Sequence, residues 1–102
     1  MNYKEIYIKS FGYSKEDFIP SEISGGEAVD IHHIHRKGFG GSKKLDRIEN
    51  LMAVTRQEHI DFGDILEFKS WLYRIHKKQM ILNNVEFDLE WINAQIKKYA
   101  QD

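Results

Sequence analysis

Three glycines in four positions, Gly38, Gly40 and Gly41, lie between two short apolar runs and divide the middle of the chain. Such a stretch offers little side chain to bury and much backbone freedom to lose, so residues 35–44 are expected to form a loop. Before it, Glu27 to Ile34 is rich in β-branched and apolar residues (Ala28, Val29, Ile31, Ile34) and reads as a strand. After it, Leu51-Met52-Ala53-Val54 reads as a second short strand. Loop and strands together predict a β-hairpin.

Helical signals flank that hairpin. Tyr3, Ile6, Tyr7 and Phe11 recur at roughly helical spacing within residues 2–19, where Ser14 and Asp17 offer a short capped turn. The only proline, Pro20, followed by Ser21-Glu22-Ile23-Ser24-Gly25-Gly26, marks a turn. Thr55-Arg56-Gln57-Glu58 has the capping-box pattern that starts a helix, with His59 in its first turn. Ile65, Phe68, Leu72, Ile75, Gln79 and Leu82 predict a helix of about five turns, which Asn83-Asn84 ends. Leu89, Ile92, Ile96 and Tyr99 define a last amphipathic helix. At 102 residues the chain is expected to be a single α+β domain, 1–102.

Formal net charge is −1, so whole-chain electrostatics names no partner. Distribution says more. From Arg36 to Arg47 there are five basic residues (Arg36, Lys37, Lys43, Lys44, Arg47) against one acid, Asp46, enough for one locally positive face. The chain has no cysteine, which excludes disulfides, thiolate zinc sites and thiol nucleophiles. No apolar run is long enough to span a bilayer, and a cytoplasmic location is the default expectation.

The chemistry concentrates in Asp30-Ile31-His32-His33-Ile34, in Asn50-Leu51, and in His59. Asn50 follows His33 by 17 positions and His59 follows Asn50 by 9. Adjacent histidines place two imidazoles at one point, one to hold a metal and one to move a proton. Phosphodiester cleavage asks for an activated water, a cation on the phosphate oxygens and relief of the leaving oxygen. His32 and His59 are the candidate metal ligands and His33 the candidate general base. Asp30 alternates with His32 along the strand, and is either an exposed acid, a reserve ligand or a partner that orients an imidazole. His35, Arg36, Lys37, Lys43 and Lys44 are candidate contacts to nucleic-acid phosphates, with solvated charge as the alternative for each lysine and arginine. His76 falls beside core positions of the long helix and reads as structural or exposed, and Trp71 and Trp91 read as core or interhelical contacts.

From about Ser21 to Gly63 the chain resembles the HNH endonuclease family, and in particular its small stand-alone members from phages and mobile elements. The resemblance implies a ββα-metal motif over about 21–63, with an N-terminal helix and a helical extension over about 64–100. It implies His32 as first metal ligand, His33 as general base, and His59 as helical ligand. Asn50 is then the middle asparagine, which ligates the metal in some relatives and pins the loop in others. The cofactor implied is one divalent ion, Mg²⁺ or Mn²⁺, with Zn²⁺ or Ni²⁺ as the alternatives that nitrogen ligands favour.

Two departures from the family pattern stand out. Many relatives carry a second helical histidine four residues after the first; here that position is Gly63, which cannot ligate. Asp61 and Asp64 lie nearby, but at 3.6 residues per turn they point away from His59 by roughly 140–160°. Many relatives also staple the motif with zinc on two Cys-x-x-Cys pairs. At those places this chain has Ser21-Glu22-Ile23-Ser24 and Thr55-Arg56-Gln57-Glu58, so the Thr55/Glu58 box and the C-terminal helices are expected to replace the staple.

The expected function is metal-dependent hydrolysis of DNA phosphodiester bonds, nicking when monomeric, with RNA not excluded as substrate. Two cuts on opposite strands would need a dimer or a second binding event. A catalytically weak DNA-binding or packaging-accessory module, working with a phage terminase, is the alternative. The missing ligand at position 63 favours it and the retained His33 argues against it. A structural zinc-binding interaction domain would need more ligands than the chain offers.

Overall fold

The structure, a computed structural model, describes residues 1–36 and 43–100. Among the described residues it is an α+β fold of four helices and one two-stranded antiparallel sheet. Helix α1 spans Tyr3–Phe11; the Asn2 side chain accepts from the Glu5 amide at its start, and Gly12 closes it with φ of 76°. Strands β1 (Asp30–His33) and β2 (Leu51–Val54) pair with Asp30 opposite Val54 and His33 opposite Leu51.

The first strand is shorter than the sequence suggests. Gly25 turns the chain at φ of 80°, Pro20 bridges to Glu27, and Ala28 bonds back to Ile19 rather than to β2. Paired strand positions therefore begin at Asp30, with the Val29 amide already donating to the Val54 carbonyl. At the other end Ile34 leaves the strand, its amide donating to the Asn50 carbonyl.

The capping box at Thr55 forms in full: the Thr55 hydroxyl accepts from the Glu58 amide, and the Glu58 carboxylate accepts from the Thr55 amide. Helix α2 (Arg56–Glu58) runs directly into a π-helical turn, His59–Gly63. Ile65 is extended at ψ of 118°, so the expected five-turn helix divides into a 3₁₀ turn (Leu66–Phe68) and helix α3 (Lys69–Leu82). The interruption lets Phe62 and Phe68 meet edge to face at 5.1 Å, with Trp71 at 5.3 Å from Phe62. Asn83 and Asn84 end α3, the latter at φ of 55°, and Asp88 caps helix α4 (Leu89–Tyr99). Trp91 of α4 packs against Tyr73 of α3, with the Arg47 guanidinium 4.4 Å above its ring.

All four residues of β2 are buried, because α1 and the C-terminal helices cover the hairpin together. Tyr7, Ile34, Leu51, Met52, Tyr73, Leu72, Met80 and Ile92 form the centre of the core. Among the described residues no helix is long and apolar enough to cross a membrane.

A polar node lies inside this core. His76 of α3 is fully buried, with Nδ1 2.7 Å from Glu22 Oε1 and Nε2 2.6 Å from the Ile48 carbonyl. A carboxylate and a carbonyl only accept, so both ring nitrogens donate and the ring is imidazolium. Glu22 also accepts from the Tyr7 hydroxyl at 2.7 Å and from the Ala53 amide. The segments 21–24 and 55–58 are joined as well, the Ser21 hydroxyl donating to Glu58. Ser21 and Glu58 thus join these two segments, and Glu22 and His76 tie the first of them to α3.

Burial pulls the His76 pKa down, but the Glu22 charge and hydrogen bond, the Ile48 carbonyl and the more distant Glu49 together raise it above 6.5. A raised histidine stabilises the fold fully below 6.5 and loses that contribution as pH rises through the folded value. His32 is displaced the other way, to about 4, so its contribution is lost as pH falls from 6.5 toward 4. Urea-unfolding midpoints are expected to peak near pH 6.5 and decline on both sides. His76→Gln should be less stable and should flatten the alkaline limb; an alkaline limb unchanged in that variant would contradict the assignment.

Candidate active site

The strand places its histidines by simple alternation. Asp30 and His32 share one face of β1, two residues apart, and both meet His59 at the start of the π turn. The His32 and His59 rings lie 4.6 Å apart, tilted by 53°. His59 Nδ1 is 3.0 Å from Asp30 Oδ2, so Nδ1–H donates and Nε2 keeps the lone pair. Asp30 is only 19% exposed; the Arg56 side chain holds it through two hydrogen bonds and its carboxyl lies below the usual range. Of the roles open to Asp30 in the sequence, this geometry selects the orienting partner of an imidazole.

His32 is buried, and its Nε2 lies 2.7 Å from the Gly63 carbonyl. That nitrogen donates, which leaves the lone pair on Nδ1. Burial, offset in part by the Gly63 carbonyl, holds the His32 pKa down to about 4, so the ring is neutral at neutral pH.

Gly63 has a positive role. A Cβ there would lie 2.7 Å from His59 Cδ2 and 3.2 Å from His32 Cε1. Two imidazoles approach across the vacancy that glycine leaves, and its carbonyl holds one of them. The π turn also changes the helical phase of the residues after it. With hydrogen bonds closing over five residues rather than four, position 64 returns toward position 59, and Asp64 lines the same cavity as His59. The expectation that Asp64 points away from His59 assumed 3.6 residues per turn, and the π turn overturns it.

His33 lies beside this pair. Its Nε2 is 2.7 Å from Asp46 Oδ1 and its ring is 4.6 Å from that of Tyr3. An ionised Asp46 only accepts, so Nε2–H donates and Nδ1 carries the lone pair a general base uses. His32, His33, His59, Asp64, Arg36, Ile31 and Tyr3 line one cavity of about 280 Å³. Asp46 could have been noticed as the one acid in a basic stretch. Tyr3 carried no signal, since only the docking of α1 brings it here.

Of the two roles open to Asn50 in the sequence, its hydrogen bonds favour the one that pins the loop. Asn50 is fully buried; its Oδ1 accepts from the His35 amide at 2.8 Å and the Tyr73 hydroxyl at 2.7 Å. Its Nδ2 donates to the carbonyls of His35 and Leu45, at 3.0 and 3.1 Å. Every hydrogen-bonding position of the amide is used, three of them on the two flanks of the loop, so Asn50 closes the loop.

Of the residues nominated for phosphate contact, Arg36 reaches the cavity. His35 shares a hydrogen bond with the Tyr99 hydroxyl at 2.8 Å. Lys43 and Lys44 are exposed on a 3₁₀ turn, Lys43–Leu45, where a plain loop was expected. Lys37, Gly38, Gly40 and Gly41 lie outside the described residues.

As ligands, His32 and His59 would each offer one imidazole lone pair, and Asp64 adds a carboxylate to the same cavity. That donor chemistry fits a divalent ion held by two imidazoles with most positions left to solvent. Among the described residues no group of three or more His, Cys, Asp or Glu is arranged to hold an ion. No family model, curated protein or solved structure matches the chain.

Gly63→Ala should force the His59 ring away from His32, at a cost of about 1–3 kcal/mol in stability. Imidazole NMR signals of His32 and His59 should shift while that of His76 stays in place. Unchanged ring signals would contradict the close approach.

Proposed function

We propose that the protein is a metal-dependent endonuclease of the HNH type that hydrolyses DNA phosphodiester bonds. The observation that carries the reading is one cavity holding three histidines in two roles. His33 is oriented by an acid and free at one nitrogen, and sits beside the His32/His59 pair, which is free at one nitrogen on each ring.

In this reading His32 and His59 hold one divalent ion, Mg²⁺ or Mn²⁺ in the first instance and Zn²⁺ or Ni²⁺ as alternatives. When bound, that ion neutralises charge on the phosphate and on the leaving oxygen. His33 takes a proton from a water through Nδ1, while Asp46 fixes the ring and stabilises the imidazolium that forms. The water oxygen bonds to phosphorus as the bond to the 3′ oxygen breaks. The 3′ oxygen is protonated from solvent, giving 5′-phosphate and 3′-hydroxyl ends, and His33 returns its proton to solvent. Arg36 lies where it can meet a phosphate oxygen at the cavity. One such cavity among the described residues makes nicking the reaction of the monomer; two cuts on opposite strands need a dimer or a second binding event.

One observation favours a second reading, a DNA-binding accessory module of weak activity that works beside a phage terminase or similar partner. Among the described residues, no third His, Cys, Asp or Glu is arranged with His32 and His59 to hold an ion.

Nicking of supercoiled plasmid in Mg²⁺, Mn²⁺, Ni²⁺ and Zn²⁺ separates the two. The wild type should nick in at least one metal, His33→Ala should be slower by about 10²–10⁴-fold, and Asp46→Ala by roughly 10–100-fold. A folded wild type inactive in every metal would support the accessory reading, and equal rates for wild type and His33→Ala would remove His33 as base.

A further inference from the structure

The cavity has a basic margin built by the C-terminal helices. Lys69, in the first turn of α3, and Lys98, in the last turn of α4, place their ammonium groups 5.4 and 5.3 Å from the centre of the same Tyr99 ring. The Tyr99 hydroxyl is hydrogen-bonded to His35, one residue before the cavity-lining Arg36. The backbone of His35 is held on both its amide and carbonyl by Asn50. A continuous path of fixed groups therefore leads from the cavity through Arg36 and His35 to Tyr99 and the two lysines.

These cations are close enough to act on one another. Burial lowers the Lys69 pKa, Asp64 opposes that, and Arg36 and Lys98 add to the lowering. His35 is lowered by burial and then by the same two lysines. Among the described residues none of Arg36, Lys69 and Lys98 forms an ion pair with a carboxylate. Positive groups gathered on an aromatic ring without a paired acid are stabilised by an incoming anion. The position next to the cavity makes the phosphate backbone of a bound strand the anion of matching chemistry.

We propose that Lys69 and Lys98, held against Tyr99 and joined to the cavity through His35 and Arg36, form a phosphate-binding shelf for the DNA strand beyond the scissile phosphate. The proposal rests on the nuclease reading of the cavity. It moves a share of the DNA contact from the glycine-rich loop to the two helices, which are packed on each other. A shelf on rigid elements registers the strand, so the phosphate in the cavity is placed relative to its neighbour.

Binding of a 20-base-pair duplex in EDTA, followed by fluorescence anisotropy across a salt series, tests the shelf. Lys69→Gln/Lys98→Gln should weaken binding by about tenfold at roughly 0.1 M salt and lower the slope of log Kd against log salt by about two. Lys69→Arg/Lys98→Arg should keep the wild-type slope, and Lys15→Gln/Lys78→Gln, which alters the same charge elsewhere, should keep it too. An unchanged slope in the first variant, or an equal loss in the last, would overturn the shelf. If the wild type still nicks plasmid, that failure leaves the nuclease reading standing; a wild type that neither binds nor nicks would overturn both.

Discussion

The side chain of Asn50 is the joint on which the candidate site depends. It is fully buried and holds backbone groups of His35 and Leu45, the two flanks of the loop, while accepting from Tyr73 on α3. Each such bond contributes about 0.5–1.5 kcal/mol net, but an orphaned buried partner costs about 1–3. The clamp sets where β1 ends and so where His33 stands. It also holds the chain near Asp46, the group that orients that histidine. Through Tyr73 the same amide ties the flanks of the loop to the C-terminal helices, so the placement of the candidate site and helix packing are one problem.

A second buried joint carries the rest. Glu22 and His76 pair away from solvent, and between them they have further hydrogen bonds to Tyr7, Ala53 and Ile48. Buried charges are tolerated only when satisfied in this way, and loss of one partner costs about 3–5 kcal/mol. The node links α1, the turn at 21–24, β2 and α3, while Ser21 and Glu58 join the turn to the start of α2. A helical extension that delivers His76 to Glu22 is therefore part of the site's foundation.

How much of this is legible in the sequence depends on the range over which each interaction acts. The Thr55/Glu58 box was legible because its partners are three residues apart, and it formed as expected. The hairpin was legible from two apolar runs around a glycine-rich stretch. His32 and His59 were expected together and lie together. The Asp64 placement was lost because a π turn has no period that apolar spacing reveals. The His33–Asp46 contact spans 13 positions and the Glu22–His76 pair 54, distances at which side-chain pairing depends on the packing of whole elements. Gly63 reads in sequence as a missing ligand; only its neighbours show that a side chain there would separate the two imidazoles.

The central claim is that His32 and His59 form a metal-holding pair at the wall of a hydrolytic cavity. Histidine-ring NMR during a Mn²⁺ titration addresses it directly, since the paramagnetic ion broadens the rings nearest to it. The account predicts that the His32 and His59 signals broaden first at substoichiometric Mn²⁺, His33 next, and the buried His76 last. Uniform weak broadening, or broadening that begins at His35 or His76, would contradict it.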